Sequence, residues 1–111
     1  MEVRARTLFY YESAVGYCPF AEWRNSIDDT VLKDAIAKRL LRLRLGLFGL
    51  YRVLNDGIIE LKMDIGPGHR IYVAEWRRSI VVLLCGGDKH SQKKDIRLAE
   101  RYWADFRRSN S

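Results

Sequence analysis

Cysteine, histidine, methionine and proline occur only twice each in these 111 residues. Cys18 and Cys85 lie far apart, form no CxxC pair and have no histidine at ligand spacing, so a structural zinc site is not expected. Cys85 closes the apolar run Ile80-Val81-Val82-Leu83-Leu84, where a free thiol behaves as a small hydrophobe. Also missing are an HExxH pattern, a Ser/His/Asp constellation, a catalytic carboxylate pair and the GxxxxGK[ST] phosphate loop. No apolar run approaches the roughly 20 residues that a membrane-spanning helix needs, and no secretory leader pattern opens the chain. Internal repeats, low-complexity tracts and linkers are absent as well. These absences leave one expectation: a single cytoplasmic domain over residues 1–111, with no metal, no cofactor and no membrane partner.

What is present is an excess of positive charge. The net charge is +6, with 31% charged and 48% hydrophobic residues, enough for a core beneath a basic surface. That balance favours an anionic partner, nucleic acid or an acidic protein.

The patterning alternates between strand and helix. Val3 to Tyr10 reads as a first strand, and Pro19 to Arg24 as a short helix with proline in its first turn. Asp28 or Asp29 caps a longer helix that runs to Leu45 and stops at Gly46, with Leu32, Ile36, Leu40, Leu43 and Leu47 on one stripe. Lys38 and Arg42 point the other way, as a solvated face or as a surface for phosphates or a partner protein. From Gly57 the period becomes two: Ile59, Leu61, Met63 and Ile65 alternate with Glu60, Lys62 and Asp64. Gly66-Pro67-Gly68 predicts a turn and His69 to Trp76 the returning strand. Arg77-Arg78 is a poor hairpin dipeptide, yet the apolar run from Ile80 to Cys85 demands a tight turn there. Gly86-Gly87 ends that run, and a last helix spans Ser91 to Arg107. The order implies an α+β fold, with a small antiparallel sheet (an N-terminal strand plus a three-strand meander) against two N-terminal helices and one C-terminal helix.

If the hairpin loop is Gly66–Gly68, Asp64 faces Arg70, Lys62 faces Tyr72 and Glu60 faces Ala74. Glu60, Lys62, Asp64, Arg70 and Tyr72 then share one face, opposite the apolar one. Such a face is either an RNA platform or a solvated surface carrying an Asp64–Arg70 pair. Beside it, Gly86-Gly87 leads into a helix start where free N–H groups favour an anion, with Lys89, Lys93 and Lys94 adding charge. His69 and His90 are the residues whose ordinary pKa lies near neutrality; His90 is the better-placed proton carrier.

Several of these segments together resemble a known family. Pro19-Phe20-x-x-Trp23, Leu43-x-Leu45-Gly46-x-Phe48-Gly49, Glu60-Leu61-Lys62, Gly66-Pro67-Gly68-His69-Arg70-Ile71-Tyr72 and Leu83-Leu84-Cys85-Gly86-Gly87-Asp88-Lys89 are similar to HigB-like members of the RelE/ParE superfamily, the addiction-module killer proteins. The likeness runs from about Val3 to Arg107. It implies a RelE-like fold and a type II toxin held by a cognate antitoxin, a small helix-turn-helix DNA-binding protein. Cleaving relatives cut mRNA on the ribosome, whereas the ParE branch inhibits DNA gyrase without nuclease activity. By this resemblance Arg70 matches the phosphate-contacting arginine, Lys62 the basic residue of the preceding strand, and Lys89 the C-terminal basic residue. Tyr72, Lys93, Lys94, Lys38 and Arg42 would hold RNA. Two positions depart from the pattern: no tyrosine follows Lys89 closely, so His90 stands in for it as the proton carrier, and His69 replaces a usual tyrosine. A ribosome-dependent mRNA endonuclease, a gyrase inhibitor and a non-toxic basic RNA-binding domain all remain open.

Overall fold

The computed structural model describes residues 3–111. Its elements are β1 (Thr7–Tyr10), α1 (Pro19–Asn25), α2 (Thr30–Arg44), β2 (Tyr51–Val53), a 3-10 turn (Asn55–Gly57), β3 (Ile58–Met63), β4 (His69–Trp76), β5 (Ile80–Asp88) and α3 (Gln92–Ser109). The α+β class is as the patterning implies.

Local chemistry sets the helix ends. Asp29 caps α2 by accepting from the N–H groups of Val31 and Leu32 at 2.8 and 3.3 Å. At the other end Gly46 takes φ +85, while Gly46 and Leu47 donate back to the carbonyls of Leu43 and Arg42. That paired bonding is a Schellman closure. A side chain at Gly46 would also collide with the Arg4 backbone. Leu47, placed on the buried stripe by its spacing, lies beyond this closure and is exposed.

The sheet differs from the expected one in three ways. It has five strands in the order β1-β5-β4-β3-β2, and β1 runs parallel to β5. A hairpin forces its strands antiparallel, but β1 reaches the sheet through a long helical crossover that imposes no such direction. β2 adds a fifth strand of only three residues, all exposed, too short for alternation to register. β5 continues through Gly86-Gly87 to Asp88 rather than ending at Cys85.

The two faces are covered separately. Phe20 of α1 and Leu32, Ile36, Leu40 and Leu43 of α2 pack on Ile59, Leu61, Ile71, Val73, Val81 and Leu83. On the reverse face, Ala99, Trp103 and Phe106 of α3 pack on Ile58, Tyr72, Ala74, Val82 and Leu84. A register shift between Tyr72 and Val73 leaves Leu84 of β5 without an opposite residue. Below it Gly86 turns toward α1 and Gly87 toward α3: a Cβ on Gly86 would strike the Trp23 ring, and one on Gly87 would strike Asp95. The glycine pair lets helices press on the same strand from both sides.

Arg39 fastens α2 to the far edge of the sheet. Its guanidinium donates to the carbonyls of Phe48 (3.2 and 2.8 Å), Leu50 (2.6 Å) and Lys62 (2.6 Å). Burial, with Arg42 nearby, pulls its pKa below the ordinary arginine value. Among the described residues no helix is long and apolar enough to cross a membrane.

Arg39→Ala removes the donors of three carbonyls at once and is expected to cost about 3 kcal/mol in urea unfolding. Arg39→Lys should recover little of this, because an ammonium lacks the planar fork that reaches all three.

Candidate functional site

The β3–β4 hairpin decides which side chains meet. Its loop is Asp64–Gly68, five residues instead of three, and Met63 pairs with His69. Lys62 therefore stands opposite Arg70 and Glu60 opposite Tyr72, and Asp64 leaves the ladder altogether. The expected pairing is off by two residues. Because two is the side-chain period of a strand, the faces survive the slip. The Asp64–Arg70 pair does not.

That polar face is not open. Glu60 is 0% exposed, beneath the start of α3. Its carboxylate gathers four neighbours: Tyr72 Oη donates to Oε2 at 3.1 Å, Gln92 Nε2 to Oε2 at 2.9 Å, and Arg52 Nε to Oε1 at 3.2 Å. Arg70 Nε lies 3.7 Å from Oε2, an ion pair rather than a hydrogen bond. Tyr72 is fully buried, and burial together with Glu60 drives its phenol pKa far upward. It is thus no stacking platform for a base, because its ring is a core element.

Arg70 is the unusual group. Its side chain is 14% exposed, and Nε and Nη1 are buried without a hydrogen-bond acceptor. Unspent donors on a buried cation are costly. It sits on β4 between Lys62 of β3 and Gly87 of β5, so no β5 side chain stands beside it.

The junction from β5 to α3 closes the site. Asp88 accepts from the N–H groups of His90 at 2.8 Å and Ser91 at 3.1 Å. Burial pushes the Asp88 carboxyl up, but these two backbone donors, together with the nearby His90 and His69, hold the pKa below the ordinary carboxylate value. Ser91 Oγ donates to Asp95 Oδ2 at 2.5 Å, while burial raises the Asp95 pKa against that bond. The junction expected to receive an outside anion is thus furnished with the chain's own carboxylates. Lys89 N–H donates to the Gly68 carbonyl at 3.0 Å, which pins the Lys89 backbone to the hairpin turn.

Lys62, Arg70 and Lys89 consequently converge on one end of the sheet, around the β3–β4 turn. His90 is exposed beside Lys89, with its backbone on Asp88. His69 Nδ1 lies 3.0 Å from the Ile65 carbonyl, which ties it to the turn. Lys93 and Lys94 are exposed on the first turn of α3. Lys38 and Arg42 lie on the outer side of α2, across the sheet from α3, and line an open groove with Leu50, Lys62, Asp64 and Ile65. Lys62 is the member common to both basic groups.

Sequence reasoning did not find Glu60 as a hub, nor Arg52 and Gln92. Glu60 carried a signal once the register is right, since it then faces Tyr72. Arg52, on the three-residue β2, carried none.

A curated protein of Haemophilus influenzae, bearing the name "Uncharacterized protein", is 42% identical over 81 residues. The match covers 73% of this chain and 82% of the relative. This chain belongs to that protein's family. No protein-family profile matches it.

Glu60→Ala strands a buried tyrosine hydroxyl, an amide and Arg70, and is expected to cost about 3 kcal/mol or more in urea unfolding. Arg52→Ala removes a partner whose side chain is 50% exposed, and should cost under about 1 kcal/mol because solvent screens that end of the pair.

Proposed function

We propose that the chain is a HigB-like toxin of the RelE/ParE superfamily, with the RelE-like fold, and that it cuts translated mRNA without a metal. The observation that carries this reading is Arg70: a guanidinium with two unspent donors, held between Lys62 and the Lys89 turn. The motif resemblance supplies the family, and the basic cluster supplies a chemistry suited to a phosphodiester.

In this reaction the 2′-oxygen attacks the adjacent phosphorus, its proton passes to a base, and the 5′-oxygen leaves with a proton from an acid. The products are a 2′,3′-cyclic phosphate and a 5′-hydroxyl. Negative charge grows on the non-bridging oxygens as the phosphorane forms. Arg70 is the group for that charge: a phosphate reached by a small outward movement would satisfy its Nε and Nη1, and charge stabilisation of this kind is worth a few kcal/mol. Lys62 and Lys89 add positive potential from the two sides. His90, exposed beside Lys89, is the candidate proton carrier. The ribosome would align the substrate strand, a contribution a small open site cannot make alone. The antitoxin, a helix-turn-helix DNA-binding protein in this reading, would restrain the toxin in the cytoplasm.

Transcript 5′-end mapping after induction in bacteria tests the assignment. Wild type should create new ends inside translated codons, and Arg70→Ala should reduce them by about a hundredfold or more, with circular dichroism confirming its fold. Undiminished cleavage by Arg70→Ala would remove Arg70 from the site. Growth arrest with intact transcripts and DNA-damage signalling would replace the nuclease with a gyrase inhibitor.

A further inference from the structure

At the end of β4 away from the hairpin of the proposed site, the chain turns through Arg77, Arg78 and Ser79 into β5. Arg77 has φ +54 and Arg78 φ +66, two consecutive non-glycine residues in the left-handed region. Ser79 N–H donates to the Arg77 carbonyl at 2.7 Å, closing a three-residue turn about Arg78. With positive φ at its centre, that is the rare and strained hand of γ-turn. Hairpins that need successive left-handed residues ordinarily use Asn-Gly or Asp-Gly, which adopt them at little steric cost. Arginine satisfies no need of the backbone here. A local rule broken at an exposed tip points to a role for the side chains.

The side chains are arranged for one kind of contact. The Arg77 guanidinium stacks on Trp76, 4.1 Å from the ring centroid. Trp76 meets Phe106 edge-on at 5.2 Å, Phe106 stacks on Trp103 at 5.6 Å, and Arg107 lies 5.2 Å from the Trp103 ring. An aromatic chain of three rings thus carries an arginine at each end. Stacking fixes the plane of a guanidinium while leaving its in-plane N–H donors for acceptors. Arg77, Arg78 and Arg107 are all exposed. Arg4 donates to the Arg78 carbonyl and adds charge at the same tip. Among the described residues Glu75 is an acid near this tip, engaged by Arg6 at 2.8 Å and approached by Arg4 at 3.7 Å.

We infer that the Arg77-Arg78 tip, with Arg107, is a second contact for RNA phosphates, separate from the Arg70 cluster. That the anion is RNA rests on the function proposed above; the strain and the stacked arginines do not. The seven residue steps from His69 to Trp76 put the tip roughly 23 Å from the cluster. An RNA bound at both ends must therefore extend along the length of β4.

The test uses the full chain, purified bacterial ribosomes as probe, and binding measured across a salt series. Arg77→Asn with Arg78→Gly supplies the turn with residues suited to its backbone, so its Tm should rise by about 5 °C. Its ribosome affinity should nonetheless fall about tenfold, and the slope of log K against log salt should shrink by about one to two units. Arg77→Lys with Arg78→Lys keeps the charge and should retain most of that slope. Two outcomes overturn the inference. If wild type and the Asn-Gly variant bind ribosomes equally, the tip is not an RNA contact, and the proposed function stands. If wild type binds no ribosomes at any salt, both fall.

Discussion

The structure turns on a carboxylate that has no access to water. Glu60 sits on β3 with no exposed surface, and the four groups around it come from three other elements: Arg52 from β2, Tyr72 and Arg70 from β4, Gln92 from α3. A carboxylate in such a place is sustained only by neighbours that replace its hydration. The requirement runs both ways. The strands must hold their register for Tyr72 to stand opposite Glu60, and α3 must begin where Gln92 reaches it. One buried carboxyl group therefore couples the hairpin register to the docking of the last helix, and Arg70 is placed by both.

How closely α3 can dock is decided one strand away. Gly87 offers no side chain to the helix and Gly86 none to Trp23, so both layers lie directly on the β5 backbone. Asp88 then orders the turn into α3 through the amides of His90 and Ser91. Glycine here is a matter of approach distance. The same gap at Gly87 leaves Arg70 with no neighbour from β5, so its flank on that side is backbone.

Much of this was legible in the residues, and the failures have physical causes. Caps and glycine stops are local, and Asp29 and Gly46 fell where their chemistry required. The period of two in Ile59-Glu60-Leu61-Lys62-Met63 separated the faces correctly even though the loop was misjudged by two residues, because an even slip preserves parity. What the pattern could not say was whether the polar face would be wet. Glu60 and Tyr72 alternate like surface residues, and only the position of α3, set by glycines far along the chain, buries them. The parallel direction of β1 and the existence of β2 depend equally on contacts made across the fold. The oddity of Arg77-Arg78, by contrast, was visible at once as a poor hairpin dipeptide; the backbone angles give it a physical meaning.

Net charge alone overstates how much basic surface faces outward. Arg6 is buried against Glu75, Arg39 is spent on three carbonyls, Arg52 is half-engaged by Glu60, and Arg108 holds Asp105 at 2.5 Å. Arg6 and Arg39 are cations used to build the fold, whereas the pairs of Arg52 and Arg108 stay half or more exposed on the arginine side and contribute little. Arg70 differs from all of them, since it is enclosed like a structural arginine yet keeps two donors without acceptors. A purely structural arginine at that depth would have been matched, as Arg39 is, because the cost of leaving it unmatched falls on the stability of the folded state. The contrast between these two guanidiniums, one bonded to three carbonyls and one with two donors left over, is what the proposed anion contact of Arg70 rests on, and it does not depend on the excess of basic residues in the chain.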